Sequence, residues 1–181
     1  MQGIAYSNDQ GTTFTPWSGN PVIDIGSTSF RDPQVFWYEP DQKWVMVVAL
    51  SGERKVRFYA SDNLKDWRHL SDFGPAGARQ GVWECPDMFA LPVDGDSTNM
   101  KWVLEVDVQP TGGQYFVGHF DGKAFRMDDE FAEDLKEKRS NASIPQGEVL
   151  FDFEQQGLPG WEKQGKAFDE SPAKGALARQ N

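Results

Sequence analysis

Two short stretches place acidic side chains where catalysis uses them. Phe30-Arg31-Asp32-Pro33-Gln34-Val35-Phe36-Trp37 and Val82-Trp83-Glu84-Cys85-Pro86-Asp87-Met88-Phe89 each lead through an aromatic residue, an acid and a proline into an apolar, strand-like run. Proline removes a ladder donor and is tolerated at a strand's first residues, so each carboxylate is expected where a strand begins. Two carboxylates at equivalent ends of repeated units can face one cavity, and paired carboxylates in a cavity are the chemistry of glycosidic bond cleavage. The competing reading is that Asp32 and Glu84 only accept N–H bonds in turns at their strand ends. Cys85 is expected to pack as a small buried hydrophobe, at a position from which it can tune Glu84. Asp87 is either a further acid of the site or a surface turn residue, and Trp83, next to Glu84, could line a sugar subsite. His69 and His119 have no carboxylate or second histidine at ligand spacing, so both are expected to be structural and neither a metal nor a cofactor is expected.

The elements that carry these residues follow from the apolar runs and the turns between them. Ile4 to Ser7, a turn at Asn8-Asp9-Gln10-Gly11, and Thr12 to Thr15 read as a hairpin. After a Pro-, Gly- and Ser-rich loop come strands at Val35–Tyr38, Lys43–Leu50, Val56–Ala60 and Trp67–Leu70, a four-stranded meander. The order then repeats, with strands at Asp87–Leu91, Lys101–Val108, Tyr115–Phe120 and Ala124–Met127 and a longer turn at Asp94–Asn99. Phe30 and Pro33 fall opposite Trp83 and Pro86, 53 residues on, and Lys43-Trp44-Val45 opposite Lys101-Trp102-Val103, 58 residues on. Trp37, Trp44, Trp67 and Trp102 recur with the repeat and are expected in the core. Four-stranded repeats of this length describe a β-propeller, and the chain holds two blades and half of a third, opening in mid-repeat. An incomplete ring leaves edges unpaired, so self-association through open blade edges is expected of the chain alone. A β-sandwich is the alternative fold.

Composition narrows the partners. A formal net charge of −10 repels the phosphate backbone, which makes nucleic acid and anionic membrane poor partners. The single cysteine rules out a disulfide framework and a thiolate metal cluster, and no apolar run approaches the length needed to span a bilayer. Seven Trp and thirteen Phe favour strands over helices. Past Met127 the charged run from Asp128 to Arg139 could form one or two helical turns with Phe131 and Leu135 on one side, or a solvated linker. Asn141-Ala142-Ser143 fits a glycosylation acceptor, which matters only in a eukaryotic secretory pathway. Val149–Phe153 and Trp161–Phe168 read as strands in a new pattern, the start of a β-sandwich-like segment. The expected organisation is therefore a partial propeller over 1–127, a charged linker over 128–146 and the start of a second β domain over 147–181.

Across roughly residues 3 to 127 the sequence resembles glycoside hydrolase family 32, the invertase, inulinase and levanase group. Phe30-Arg31-Asp32-Pro33 and Trp83-Glu84-Cys85-Pro86-Asp87 match the family's Arg-Asp-Pro and Glu-Cys-Pro motifs without a gap, and Ile4 to Gly11 looks like its strand and turn just upstream. The resemblance implies an all-β, five-bladed propeller and a retaining β-fructosidase acting on levan, inulin or sucrose, with a non-catalytic carbohydrate-binding or scaffolding propeller as the alternative. It further implies that Glu84 is the general acid/base and Asp32 the carboxylate that stabilises the fructosyl transition state, with Arg31 beside them and Trp83 and Cys85 near the sugar. In that arrangement Arg31 favours an ionised Asp32, and Asp32 favours a protonated Glu84. A parent acting on a polymer would be secreted, periplasmic or on the cell surface. One departure stands out: the family's nucleophile is an aspartate in an Asn-Asp-Pro motif, which the 181 residues lack. Neither Asp9 nor Asp24 has that context, so the chain alone is expected to be inactive.

Overall fold

A computed structural model of the chain describes residues 1–78, 80–110 and 112–140. The glycosylation triplet and the expected sandwich segment lie outside the described residues. The described residues form ten strands, one α-helix and two short 3-10 turns. A two-stranded hairpin, β1 (Ala5–Tyr6) and β2 (Thr15–Pro16), is followed by a four-stranded antiparallel meander of β3 (Phe30–Tyr38), β4 (Lys43–Leu50), β5 (Lys55–Ser61) and β6 (Arg68–Phe73). A second meander contains β7 (Val82–Val93), β8 (Asp96–Gln109), β9 (Gly112–Phe120) and β10 (Phe125–Met127). Helix α1 (Asp129–Ser140) follows.

β4 shows why two sheets pack together. Its run Val45-Met46-Val47-Val48-Ala49-Leu50 is apolar at every position because both of its faces are covered. Val45 and Val47, with Val56 and Phe58 of β5, pack against Trp83, Met88, Leu104, Val106 and Phe116 of the second meander. Met46, Val48 and Leu50 point the other way and join Phe30, Tyr59 and Ile23 in a second cluster. The N-terminal segment closes that cluster: Gln2 N donates to Ile23 O (2.7 Å), and its buried side chain donates to Phe30 O (3.1 Å) at the start of β3. Phe120 lies between the sheets, edge-on to Tyr38 with centroids 5.2 Å apart and stacked on Phe58 at 5.6 Å.

The structure departs from the sequence reading at several elements. β3 and β7 begin at Phe30 and Val82, so both proline motifs lie inside a strand and not ahead of it. Asp94-Gly95 closes its hairpin directly, both residues having positive φ (50° and 80°), and β8 starts at Asp96. Such a two-residue turn suits the twist of the strands, and the polar residues after it become strand. Trp37 is 41 % exposed, edge-on to Trp44 and donating to Glu39, and so lies outside the core. The charged run takes the helical form: Ala132 N donates to Asp128 O (2.9 Å), and Phe131 packs its ring on Tyr115. Asp129 and Glu130 in the first turn suit the positive end of the helix.

Candidate active site

β3 and β7 share an irregularity at the same place. The β3–β4 ladder skips between Arg31 and Gln34, and the β7–β8 ladder between Glu84 and Asp87, so Asp32-Pro33 and Cys85-Pro86 each oppose a single residue. These are β-bulges, and they explain how a proline fits within a strand: the extra residue makes no ladder bond. Asp32 (φ 58°) and Cys85 (φ 46°) both occupy the left-handed region, costly for residues with a Cβ. By the 53-residue repeat Asp32 corresponds to Cys85 and Arg31 to Glu84. The two acids are thus one step out of equivalence, and the equivalent positions carry opposite charges.

Those opposite charges meet. Arg31 Nη2 lies 2.9 Å from Glu84 Oε1, and its Nε lies 3.9 Å from Asp32 Oδ2. One guanidinium therefore reaches both carboxylates, which puts them no farther apart than its two contacts and its own width. Ser51, buried in the turn after β4, accepts from Arg31 Nη2 at 2.7 Å and fixes its direction, while its own N–H donates to Ser29 O. Asp32 Oδ2 also accepts from Cys85 N at 3.1 Å, a bond from the bulge of one sheet to the bulge of the next. The side chains are 40 %, 32 % and 25 % exposed for Arg31, Asp32 and Glu84, which leaves them reachable by a ligand.

Two expectations for neighbouring residues are corrected. Trp83 has no exposed surface: it packs between Phe73 and Phe116 in the core, because the residue preceding Glu84 on a strand points to the opposite face. It cannot line a sugar subsite. Cys85 is exposed, lifted out of the core by its bulge. Its thiol is held above the usual range by partial desolvation and then by Asp32, Asp107 and Glu84, which keeps it neutral and a poor nucleophile.

The sequence reading missed Ser51, Gln34, Glu105 and Asp107. In β8 the acids alternate with buried Leu104 and Val106, and the register sets Asp107 beside Glu84 and Glu105 beside Asp87. That period of two was visible in the sequence; the register was not. Desolvation, then Asp107 and Asp87, raise the Glu105 carboxyl. Asp87 is exposed and bonds the Gln34 carboxamide, so it belongs to the contact between strands. Asp9 and Asp24 both close turns. Asp9 accepts from Ser7 Oγ, Thr13 N and Thr13 Oγ1, and Asp24 from Gly26 N. His69 and His119 have carboxylate partners in space, Asp72 (3.0 Å) and Asp128 (3.3 Å), both away from the bulges. Among the described residues no group of three His, Cys, Asp or Glu side chains is placed to hold a metal ion.

Comparison with known proteins agrees with the two-sheet arrangement. The chain is 53 % identical over 134 residues to a levanase of Bacillus subtilis (strain 168), covering 70 % of this chain and 20 % of that protein. It is 46 % identical over 143 residues to the extracellular exo-inulinase inuE of Aspergillus niger, covering 70 % of this chain and 26 % of the relative. The solved fructofuranosidase of Schwanniomyces occidentalis, complexed with fructose, superposes with a TM-score of 0.65 at 44 % identity, over 70 % of this chain and 26 % of that one. The chain thus spans about a fifth to a quarter of the length of the proteins it matches, and its sheets are those of their β-propeller domain. The model of the glycosyl hydrolases family 32 N-terminal domain matches residues 1–140, the bulged strands β3 and β7 included, and the chain belongs to that family.

Proposed function

We propose that the protein carrying this chain hydrolyses β-fructosidic bonds in fructans or sucrose with retention, and that β3 and β7 supply two of its working carboxylates. The observation that carries this reading is the single guanidinium of Arg31 reaching both Asp32 and Glu84 across adjacent bulged strands. The relatives' names, levanase and exo-inulinase, point to the same bond, and a non-catalytic module is not favoured.

Glu84 is the general acid/base. It protonates the departing glycosidic oxygen and then, as a carboxylate, takes a proton from the water that completes hydrolysis. Asp32, beside Arg31, stabilises the positive charge that develops on the fructosyl ring. Arg31 positions both acids, and exposed Cys85 borders the sugar. The nucleophile that retention requires is assigned to no residue of this chain, since Asp9 and Asp24 are occupied in turns.

The test is kinetic. In the full-length protein, Glu84→Gln lowers kcat about 10²- to 10⁴-fold on substrates with poor leaving groups and less on activated aryl fructosides. Asp32→Asn slows every substrate alike, because it acts on the fructosyl centre. The 181-residue chain alone releases no fructose from sucrose, inulin or levan, and it self-associates through uncovered strand edges and the exposed Phe89, Leu91 and Tyr115. A fully active Glu84→Gln protein would remove the acid/base assignment, and fructose release by the isolated chain would show that it carries its own nucleophile.

A further inference from the structure

β3 and β7 are both edge strands of their sheets, and edge strands present backbone N–H and C=O groups without ladder partners. Side chains of β3 bond those of β7. Gln34 Oε1 accepts from Met88 N at 2.9 Å, and Gln34 Nε2 donates to Met88 O at 3.3 Å and to the Asp87 carboxylate. A carboxamide is the side chain that offers a donor and an acceptor together in one plane, so Gln34 pairs with Met88 much as a strand residue would. From its position two residues past Asp32, it meets β7 four residues past Glu84.

We infer that Gln34 is a positioning residue, an amide clamp that sets the separation of the Asp32 and Glu84 strands, so that this separation does not rest on the two carboxylates alone. Without it, the side-chain contacts from β3 to β7 beside the bulges are the Arg31–Glu84 ion pair and the bond from Cys85 N to Asp32. Groups that must exchange partners during a reaction are poor fixtures, and a misplacement of about 1 Å can cost about 10²-fold in rate. The clamp lies on the regular side of the bulges, where Met88 is 1 % exposed and packed in the core, so it transmits the position of a rigid element. This inference rests on the roles proposed above for Asp32 and Glu84.

Two variants of the full-length protein test it. Gln34→Met keeps the volume and removes all three hydrogen bonds; we expect kcat on sucrose to fall about 10²-fold, with KM little changed and cooperative unfolding retained. Gln34→Glu replaces the clamp with one that titrates. Protonated, it can still donate and accept; ionised, it repels Met88 O, Asp87 on β7 and Glu105 beside it on β8, with Asp32 and Glu84 adding to the repulsion and Arg31 opposing it. The ratio of variant to wild-type kcat is therefore close to one at about pH 4 and falls tenfold or more by about pH 7. Wild-type kcat in Gln34→Met, or a ratio flat with pH in Gln34→Glu, would overturn the clamp. If the wild-type protein cleaves no fructoside, the functional reading fails by itself, and the thermal midpoints of wild type and Gln34→Glu then decide: a gap that widens with rising pH supports the clamp, and parallel curves overturn it.

Discussion

Arg31 shows how little separates a structural ion pair from a working one. Its guanidinium bonds Ser51 and pairs with Glu84 through Nη2, and its Nε lies 3.9 Å from Asp32, so one planar fork faces both carboxylates. A lysine has no such fork, and Arg31→Lys is expected to lower kcat even though charge is kept. Cys85 makes the opposite point, being exposed yet electrostatically quiet. With Asp32, Asp107 and Glu84 around it, its thiol should react with iodoacetamide at pH 7 more slowly than free cysteine, and its rate should climb only above the ordinary thiol range. Alkylation at or above the rate of free cysteine would contradict the neutral thiol. Because its thiol stays neutral and takes no part in the proposed chemistry, Cys85→Ser is expected to retain most of kcat.

Among the elements, the bulges and turns matter more than strand length. The paired bulges on β3 and β7 bring a side chain of one strand to the backbone of the other, at the expense of two left-handed residues before prolines. The β1–β2 hairpin has a different lock. Ser7 and Thr13 hold the Asp9 carboxyl down to about 2 from its usual 3.8. A depressed carboxyl contributes stability that is complete above its unfolded pKa and is lost as pH falls through the folded value. The turn should therefore persist through pH 4 and loosen on approach to about pH 2, seen as loss of protection of the Thr13 amide in hydrogen exchange. Loosening centred at the ordinary carboxylate value would contradict this, and Asp9→Ala should remove the protection at every pH.

At the scale of the molecule, one core joins both meanders, and Trp83 is its largest wholly buried side chain. Trp83→Ala should cost about 3–5 kcal/mol, as large aromatic-to-alanine core changes do, read as a lower denaturant midpoint. Trp83→Phe should lose less and leave KM for sucrose unchanged in the full-length protein, because the indole faces the core and not the site. A tenfold rise in KM at unchanged stability would place Trp83 at the sugar after all. The outer face of the second meander, with Phe89, Leu91 and Tyr115 exposed, is only partly dressed by Phe131 of α1.

What the sequence by itself determined is the repeat, the strand order of both meanders and the two acids, because alternation, turn residues and the Arg-Asp-Pro and Glu-Cys-Pro spacing are local signals. Pro33 and Pro86 even marked the irregular places, although not as bulges inside longer strands. Side-chain direction at a bulge was not legible: the extra residue breaks the alternation and lifts Cys85 out of the core, whereas Trp83, ahead of the bulge, faces away from Glu84 by plain strand alternation. Nor was the choice of partners between strands. That Arg31 bonds Glu84, that Gln34 meets the backbone of Met88 and that Asp107 stands beside Glu84 depend on register and on how two sheets face each other, which only packing of the whole core decides.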